Sequence, residues 1–254
     1  MKNLVQAFII AFSMYSKIPM PKMDWTEKGM KYAICFFPVV GAAVGAVMYA
    51  AGILLHCVGV SPLLYGCIMT VIPVIITGGI HLDGFLDTMD GISSYADKPK
   101  RLEILKDSNS GAFAIIGGLV YFTLSVGFFS EVTDKMLPVI AISFVLSRAL
   151  SGFAMVTFPK ARKKGLVATF SDGADRKVVR ITMIIYVIIA LAAAFYISIP
   201  GAVILMVTAA VMFIYHYWNC MHNFGGITGD LAGFFLQVFE LLVVIVLVIG
   251  KSYF

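Results

Sequence analysis

Apolar residues along this chain gather into long runs separated by short polar segments. The runs occupy residues 32–56, 62–80, 111–130, 137–158, 181–198, 202–220 and 231–250. A hydrocarbon core about 30 Å thick needs about 20 mainly apolar residues per helical crossing, so each run predicts one transmembrane helix. A further apolar stretch, Asn3 to Tyr15, has only 13 residues and predicts an interfacial or re-entrant helix. It follows a single lysine, Lys2, and no small-x-small cleavage site comes after it, unlike a secretory signal. The expected fold is all-α: a polytopic transmembrane bundle of about seven full spans plus that short N-terminal helix. No linker or low-complexity tract divides residues 1–254, which read as a single integral membrane domain. Gly41-x-x-x-Gly45 reads most simply as a close helix-packing contact.

Composition strengthens the membrane reading. Hydrophobic residues make up 60% of the 254 and charged residues 13%, about half the share typical of soluble domains, so a polar coat is out of reach. The net charge of +5 does not point to nucleic acid, because the basic residues are not interleaved with aromatics as a base-stacking platform requires. They gather instead in alternate inter-helix segments: Lys17 to Lys31, Lys98 to Lys106, and Lys160 to Arg180. Those segments hold fifteen of the nineteen Lys and Arg, while the intervening ones at 59–61, 131–135 and 199–201 are sparse. The positive-inside rule then puts the basic segments in the cytoplasm, with the chain as a multi-pass protein of the cytoplasmic membrane. Cys35, Cys57, Cys67 and Cys220 show neither a CxxC pair nor metal-ligand spacing and read as packing residues.

The richest polar segment is Gly78-Gly79-Ile80-His81-Leu82-Asp83-Gly84-Phe85-Leu86-Asp87-Thr88-Met89-Asp90-Gly91, at the cytoplasmic end of the second span. Asp83, Asp87 and Asp90 stand at i, i+4 and i+7, which a helix would gather within an arc of roughly 60°. Three neighbouring carboxylates repel unless neutralised. A hard cation such as Mg²⁺ suits them, sharing its remaining coordination with substrate phosphates. The plainer reading is a solvated helix end, but that would not need the flanking glycines Gly84 and Gly91, which allow a ligand or backbone to approach. His81 adjoins the cluster and is placed either to orient a carboxylate, to contact a phosphate, or simply to lie at the interface. His56, His216 and His222 form no metal-ligand pattern.

Two other segments fall on the same face. Lys106-Asp107-Ser108-Asn109-Ser110-Gly111 opens the third span with good N-cap residues, and a helix start offers free N–H groups to a phosphate. Gly225-Gly226-Ile227-Thr228-Gly229-Asp230 opens the last span in the same way. Arg148 and Glu240 fall near the middle of their spans, where a charge facing lipid costs about 2.5–3.5 kcal/mol on insertion scales, so both should face the bundle interior. They either pair with one another or leave Arg148 for a substrate phosphate.

These segments, in this order, resemble the bacterial cobalamin synthases, the adenosylcobinamide-GDP ribazoletransferases. The likeness rests on Gly79-Ile80-His81-Leu82-Asp83-Gly84 continuing to Asp87, Asp90 and Gly91, on Lys106-Asp107-Ser108 with Gly111, and on Gly225-Gly226-Ile227-Thr228-Gly229-Asp230. It runs over essentially the whole chain. One departure is Asn109, where many relatives carry a basic residue; Lys106 or the loop Lys160 to Lys164 is available instead.

The resemblance implies transfer from adenosylcobinamide-GDP to α-ribazole or its 5′-phosphate with release of GMP, the step that completes the lower nucleotide loop of cobalamin. It implies Mg²⁺ on Asp83, Asp87 and Asp90, His81 beside them in catalysis, and substrate contacts from Gly84, Gly91, Lys106, Asp107, Ser108, Arg148, Gly226, Thr228 and Asp230. The implied partners are the corrinoid and ribazole substrates and the lipid bilayer, with no nucleic acid; docking of other cobalamin-assembly enzymes on the basic loops stays open. The aspartate spacing is also similar to that of CDP-alcohol phosphotransferases. A prenyltransferase would be expected to carry a second aspartate-rich motif, where this chain has only Asp230. A transporter would be expected to show paired interrupted helices in repeated halves, which are not visible.

Overall fold

The computed structural model describes residues 2–107, 109–162 and 173–253. These residues fold into helices α1 (Lys2–Tyr15), α2 (Glu27–Ala33), α3 (Phe37–Val58), α4 (Pro62–Thr77), α5 (Ile80–Ser93), α6 (Lys98–Ile104) and α7 (Ala112–Phe129). α8 (Leu137–Thr157), α9 (Arg176–Ile197), α10 (Ile199–Asn219) and α11 (Gly229–Ile249) complete the bundle. The 3-10 turn Ile34–Phe36 joins α2 to α3, and a π turn at Cys220–Phe224 prolongs α10. No strand forms among the described residues beyond one isolated bridge between Lys160 and Ile227.

Among the described residues, six helical runs are long and apolar enough to cross a membrane, and α4 with α5 makes a bent pair that can count as a seventh. This is the polytopic bundle that the apolar runs predict, with one difference. The run at 62–80 does not continue straight: α4 stops at Thr77 and α5 leaves at 100° to it. Gly78 and Gly79 both take left-handed backbone angles, φ 66° and 78°, which residues with a Cβ adopt only at a cost. Their N–H groups bond back to the carbonyls of Ile75 and Val74, so the end of α4 is capped where the chain turns. The acidic segment is therefore a separate helix.

α1 buries Ala7, Ile10, Ala11, Phe12 and Tyr15 against α2 and α3, and leaves Leu4 and Val5 exposed. At 14 residues it is too short to cross a bilayer alone. α8 and α11 form the centre, each with 72% of its most apolar stretch buried, against 22% for α9 and 33% for α7. The outer helices turn Ile115, Leu119, Ile181, Ile188, Val207 and Ile214 outward. An apolar surface of this extent suits lipid rather than water.

Glycines set the closest crossings. A Cβ on Gly41 or Gly45 would strike the carbonyls of Phe144 or Ala141 on α8, so the predicted Gly-x-x-x-Gly contact is the α3–α8 crossing.

Candidate active site

α5 crosses α11 at a second pair of glycines. A Cβ on Gly84 would lie 2.8 Å from the Cα of Asp230, and one on Gly233 would lie 2.9 Å from the carbonyl oxygen of His81. Larger residues would push the helices apart and separate Asp83 from Asp230. His81, Gly84, Phe85, Thr88 and Gly91 form the buried stripe of α5, at the helical spacing expected of a packed face. Gly91 belongs to that packing, since its Cβ would meet the Phe224 ring at 3.2 Å and Leu105 at 3.4 Å.

At this crossing lies a cavity of about 270 Å³. Its rim carries Asp83 from α5, Thr228 and Asp230 from the start of α11, and Lys160 and Arg162 from the chain after α8. Thr228 caps α11, accepting the Leu231 N–H at 3.2 Å, and its hydroxyl donates to Asp230 Oδ2 at 3.2 Å. The basic chain reaches the rim because Ala161 N–H donates to Ile227 O at 3.1 Å and Ile227 N–H to Pro159 O at 2.8 Å. Gly226 makes room for that bridge, as a Cβ there would strike the backbone of Pro159, Lys160 and Ala161. Arg162 also donates to the Leu102 carbonyl. Burial pulls its guanidinium below its ordinary pKa, while Asp230 acts in the opposite sense.

The other sequence-predicted residues separate into groups. Asp87 does not line the cavity but interacts electrostatically with Asp83, Asp230 and Asp90. Asp90 is engaged elsewhere: its Oδ2 accepts the Gly111 N–H at 2.5 Å and its Oδ1 the Ala114 N–H at 2.8 Å. It thus caps α7 from a neighbouring helix. Two of the N–H groups expected to receive a phosphate at this helix start are already satisfied by that carboxylate. Asp107 closes its own loop, accepting from Asn109 N–H at 3.0 Å and Asn109 Nδ2 at 2.9 Å, and these bonds hold its carboxyl below the usual range. Lys106 is exposed in the same turn and, like Asp107, is not part of the cavity wall; Ser108, Lys163 and Lys164 lie outside the described residues.

Arg148 is not one of the residues that line the cavity. It is wholly buried and donates to Glu240, itself 7% exposed, and to Ser147 Oγ at 2.9 Å; Ser147 in turn donates to Glu240 at 2.7 Å. Of the two sequence-level alternatives for Arg148, the structure realises the pair.

No three His, Cys, Asp or Glu side chains among the described residues converge closely enough to hold a metal by themselves. The donors near the rim are nevertheless hard carboxylate oxygens, and Mg²⁺ commonly takes only one or two carboxylates with waters and substrate phosphates completing its shell. Asp83 and Asp87, one helical turn apart, fit that partial set. Asp90, with both oxygens bound to α7, fits it less well.

Sequence reasoning missed the cavity's inner wall. Tyr15, Phe37, Ser151, Met155 and Leu236 line it, and all fall inside apolar runs where nothing distinguishes them from ordinary core.

The profile of the family described as Cobalamin-5-phosphate synthase matches residues 7–248. A protein of Lachnoclostridium phytofermentans named adenosylcobinamide-GDP ribazoletransferase is 48% identical, over 96% of this chain and 93% of its own length. One of Clostridium botulinum strain Alaska E43 with the same name is 33% identical, over 95% and 96%. A third, from Geobacillus sp. strain WCH70, is 29% identical, over 94% of each. No solved structure matches the chain. The match runs through both helices of the α5–α11 crossing and covers nearly the whole bundle, and on that ground the chain belongs to the Cobalamin-5-phosphate synthase family.

Proposed function

We propose that this chain joins adenosylcobinamide-GDP to α-ribazole or α-ribazole 5′-phosphate and releases GMP, in the late nucleotide-loop step of cobalamin biosynthesis. The observation that carries this reading is the meeting of the α5 and α11 motifs at one cavity lined by Asp83, Asp230, Lys160 and Arg162. Carboxylates and cations on one rim suit a reaction in which a hydroxyl attacks a pyrophosphate.

In that reaction a ribose hydroxyl oxygen forms a bond to the cobinamide-side phosphorus. The bond from that phosphorus to the bridging oxygen breaks, GMP leaves with the electron pair, and the hydroxyl proton passes to a rim carboxylate. Phosphoryl transfer depends mainly on positioning and electrostatic stabilisation. Lys160 and Arg162 supply charge to phosphate oxygens as the leaving group departs. Mg²⁺ held by Asp83 and Asp87 would offset charge on the transferring group and on GMP. Asp90 holds α7 against α5 and keeps that pair in register. The basic segments on either side of the rim support, by the positive-inside rule, a mouth that opens at the cytoplasmic face of a bacterial cytoplasmic membrane.

The test is GMP release by detergent-solubilised protein given adenosylcobinamide-GDP, α-ribazole and Mg²⁺. GMP should appear with the corrinoid product in equal amounts. A folded protein that releases none with either form of ribazole would overturn the proposal.

A further inference from the structure

The cavity at the α5–α11 crossing has two unlike parts. Its rim is charged and accessible, whereas its inner wall is made of side chains with almost no exposure. Tyr15, Phe37 and His81, from three different helices, cluster there with ring centroids 4.2, 5.8 and 6.1 Å apart. Met155 and Leu236 continue the apolar surface.

Two residues of this lining also carry buried polar atoms. His81 Nε2 and Ser151 Oγ belong to residues 4% and 0% exposed, and neither has a hydrogen-bond partner among the described residues. Leaving such a group unsatisfied costs about 1–3 kcal/mol, so a pair of them lining one cavity is a feature that a ligand would relieve.

The division matches a nucleoside in outline. A flat, weakly polar base would lie on the aromatic wall, and a hydroxyl-bearing sugar would reach the charged rim. It does not match the corrinoid, whose macrocycle is far too large for about 270 Å³. Guanine suits it poorly as well, because its edge presents more donors and acceptors than two wall atoms can satisfy, and each one buried unpaired is costly. The benzimidazole of α-ribazole, with one ring nitrogen bound to the ribose and the other an acceptor, asks for a single donor and leaves no polar atom of its own unpaired.

We propose that this cavity is the acceptor-nucleoside subsite, with the base on the Tyr15–Phe37–His81 wall, its free ring nitrogen beside His81 Nε2 and Ser151 Oγ, and the ribose at the rim beside Asp83 and Asp230. The proposal rests on the transferase reading above and adds to it which substrate enters the bundle. Ser151 and His81 become specificity-determining contacts, and the GDP-bearing donor approaches from outside the rim.

Two-substrate kinetics separate the possibilities. α-Ribazole and adenosylcobinamide-GDP are varied independently for the wild type, Ser151→Ala and Ser151→Leu. Ser151→Ala removes one wall hydroxyl and should raise the KM for α-ribazole about three- to tenfold, with the donor KM unchanged. Ser151→Leu fills the wall and should raise the acceptor KM at least about a hundredfold.

A rise confined to the donor KM would assign the cavity to the donor's guanosine and overturn the proposal, as would two unchanged KM values. Wild-type protein with no turnover would instead defeat the transferase reading itself. Equilibrium dialysis of labelled α-ribazole against wild-type protein covers the case in which Ser151→Leu does not fold. Binding that excess GDP leaves intact supports the subsite; displacement by GDP, or no binding at concentrations that saturate turnover, overturns it.

Discussion

Glu240 and Asp90 are carboxylates tied into the bundle by their partners, whereas Asp83 and Asp87 stand near each other beside a cavity and Asp230, on its wall, has the Thr228 hydroxyl for a partner. Glu240 receives the guanidinium of Arg148 and the hydroxyl of Ser147 inside the bundle. Asp90 receives two backbone N–H groups from the first turn of α7, where the helix dipole also favours a negative charge. Asp87, by contrast, interacts with three other aspartates, all of its own sign. All five acids belong to one predominantly apolar chain, and two of the contrasting ones, Asp87 and Asp90, are on the same helix less than one turn apart. Their difference lies in who provides the counter-charge. An acid completed by the fold is held by it, and under the proposed function an acid left among its like is the one that takes a cation or substrate.

The largest effect should come from breaking a completed acid. Arg148→Leu leaves Glu240 buried without its partner, and removing one member of a buried pair typically costs about 3–5 kcal/mol. Thermal melting in detergent should show the single variant strongly destabilised. Arg148→Leu with Glu240→Leu together should melt near the wild type and retain turnover, since neither side chain lines the cavity. A stable double variant that is inactive would move Arg148 into the substrate site.

Neutralising the open acids should do the opposite, leaving folding intact and removing activity. Asp83→Asn and Asp87→Asn keep shape but delete charge, and each should lower turnover at least about a hundredfold, because a preorganised electrostatic group of this kind contributes roughly 2.7–4 kcal/mol in the transition state. The Mg²⁺ concentration for half-maximal GMP release should rise in both. Near wild-type rates with unchanged Mg²⁺ dependence would make the pair a solvated helix surface.

Much of the fold is legible in the amino-acid sequence. The apolar runs delimit the spanning helices because a bilayer imposes length and polarity on contiguous sequence. The double glycine at 78–79 marks a place where ordinary backbone angles fail, but only the structure shows that it turns α5 by 100°. Partnerships between distant residues are harder to read. Asp90 finds its partner 21 residues away, and Arg148 finds Glu240 92 residues away; neither separation leaves a periodic trace. Tyr15, Phe37 and Ser151 leave still less, because a residue lining a cavity inside the bundle has the same composition as one packed against a neighbour.

The smallest effect, and the one that most sharply separates Asp90 from Asp83 and Asp87, concerns the start of α7. Asp90→Ala removes both acceptors from Gly111 and Ala114, and losing a cap of this kind costs about 0.5–2 kcal/mol. Asp90→Asn keeps one carbonyl oxygen to accept one of the two N–H groups, while its amide nitrogen cannot accept the other, so it should fall between Ala and the wild type. Melting temperatures in detergent should follow that order. Turnover per folded molecule should drop by no more than about tenfold in either variant, well short of the loss expected for Asp83→Asn. If Asp90→Asn melted like the wild type yet lost a hundredfold in turnover with a raised Mg²⁺ requirement, Asp90 would join the open acids, and its bonds to α7 would belong to a resting arrangement that the bound cation replaces.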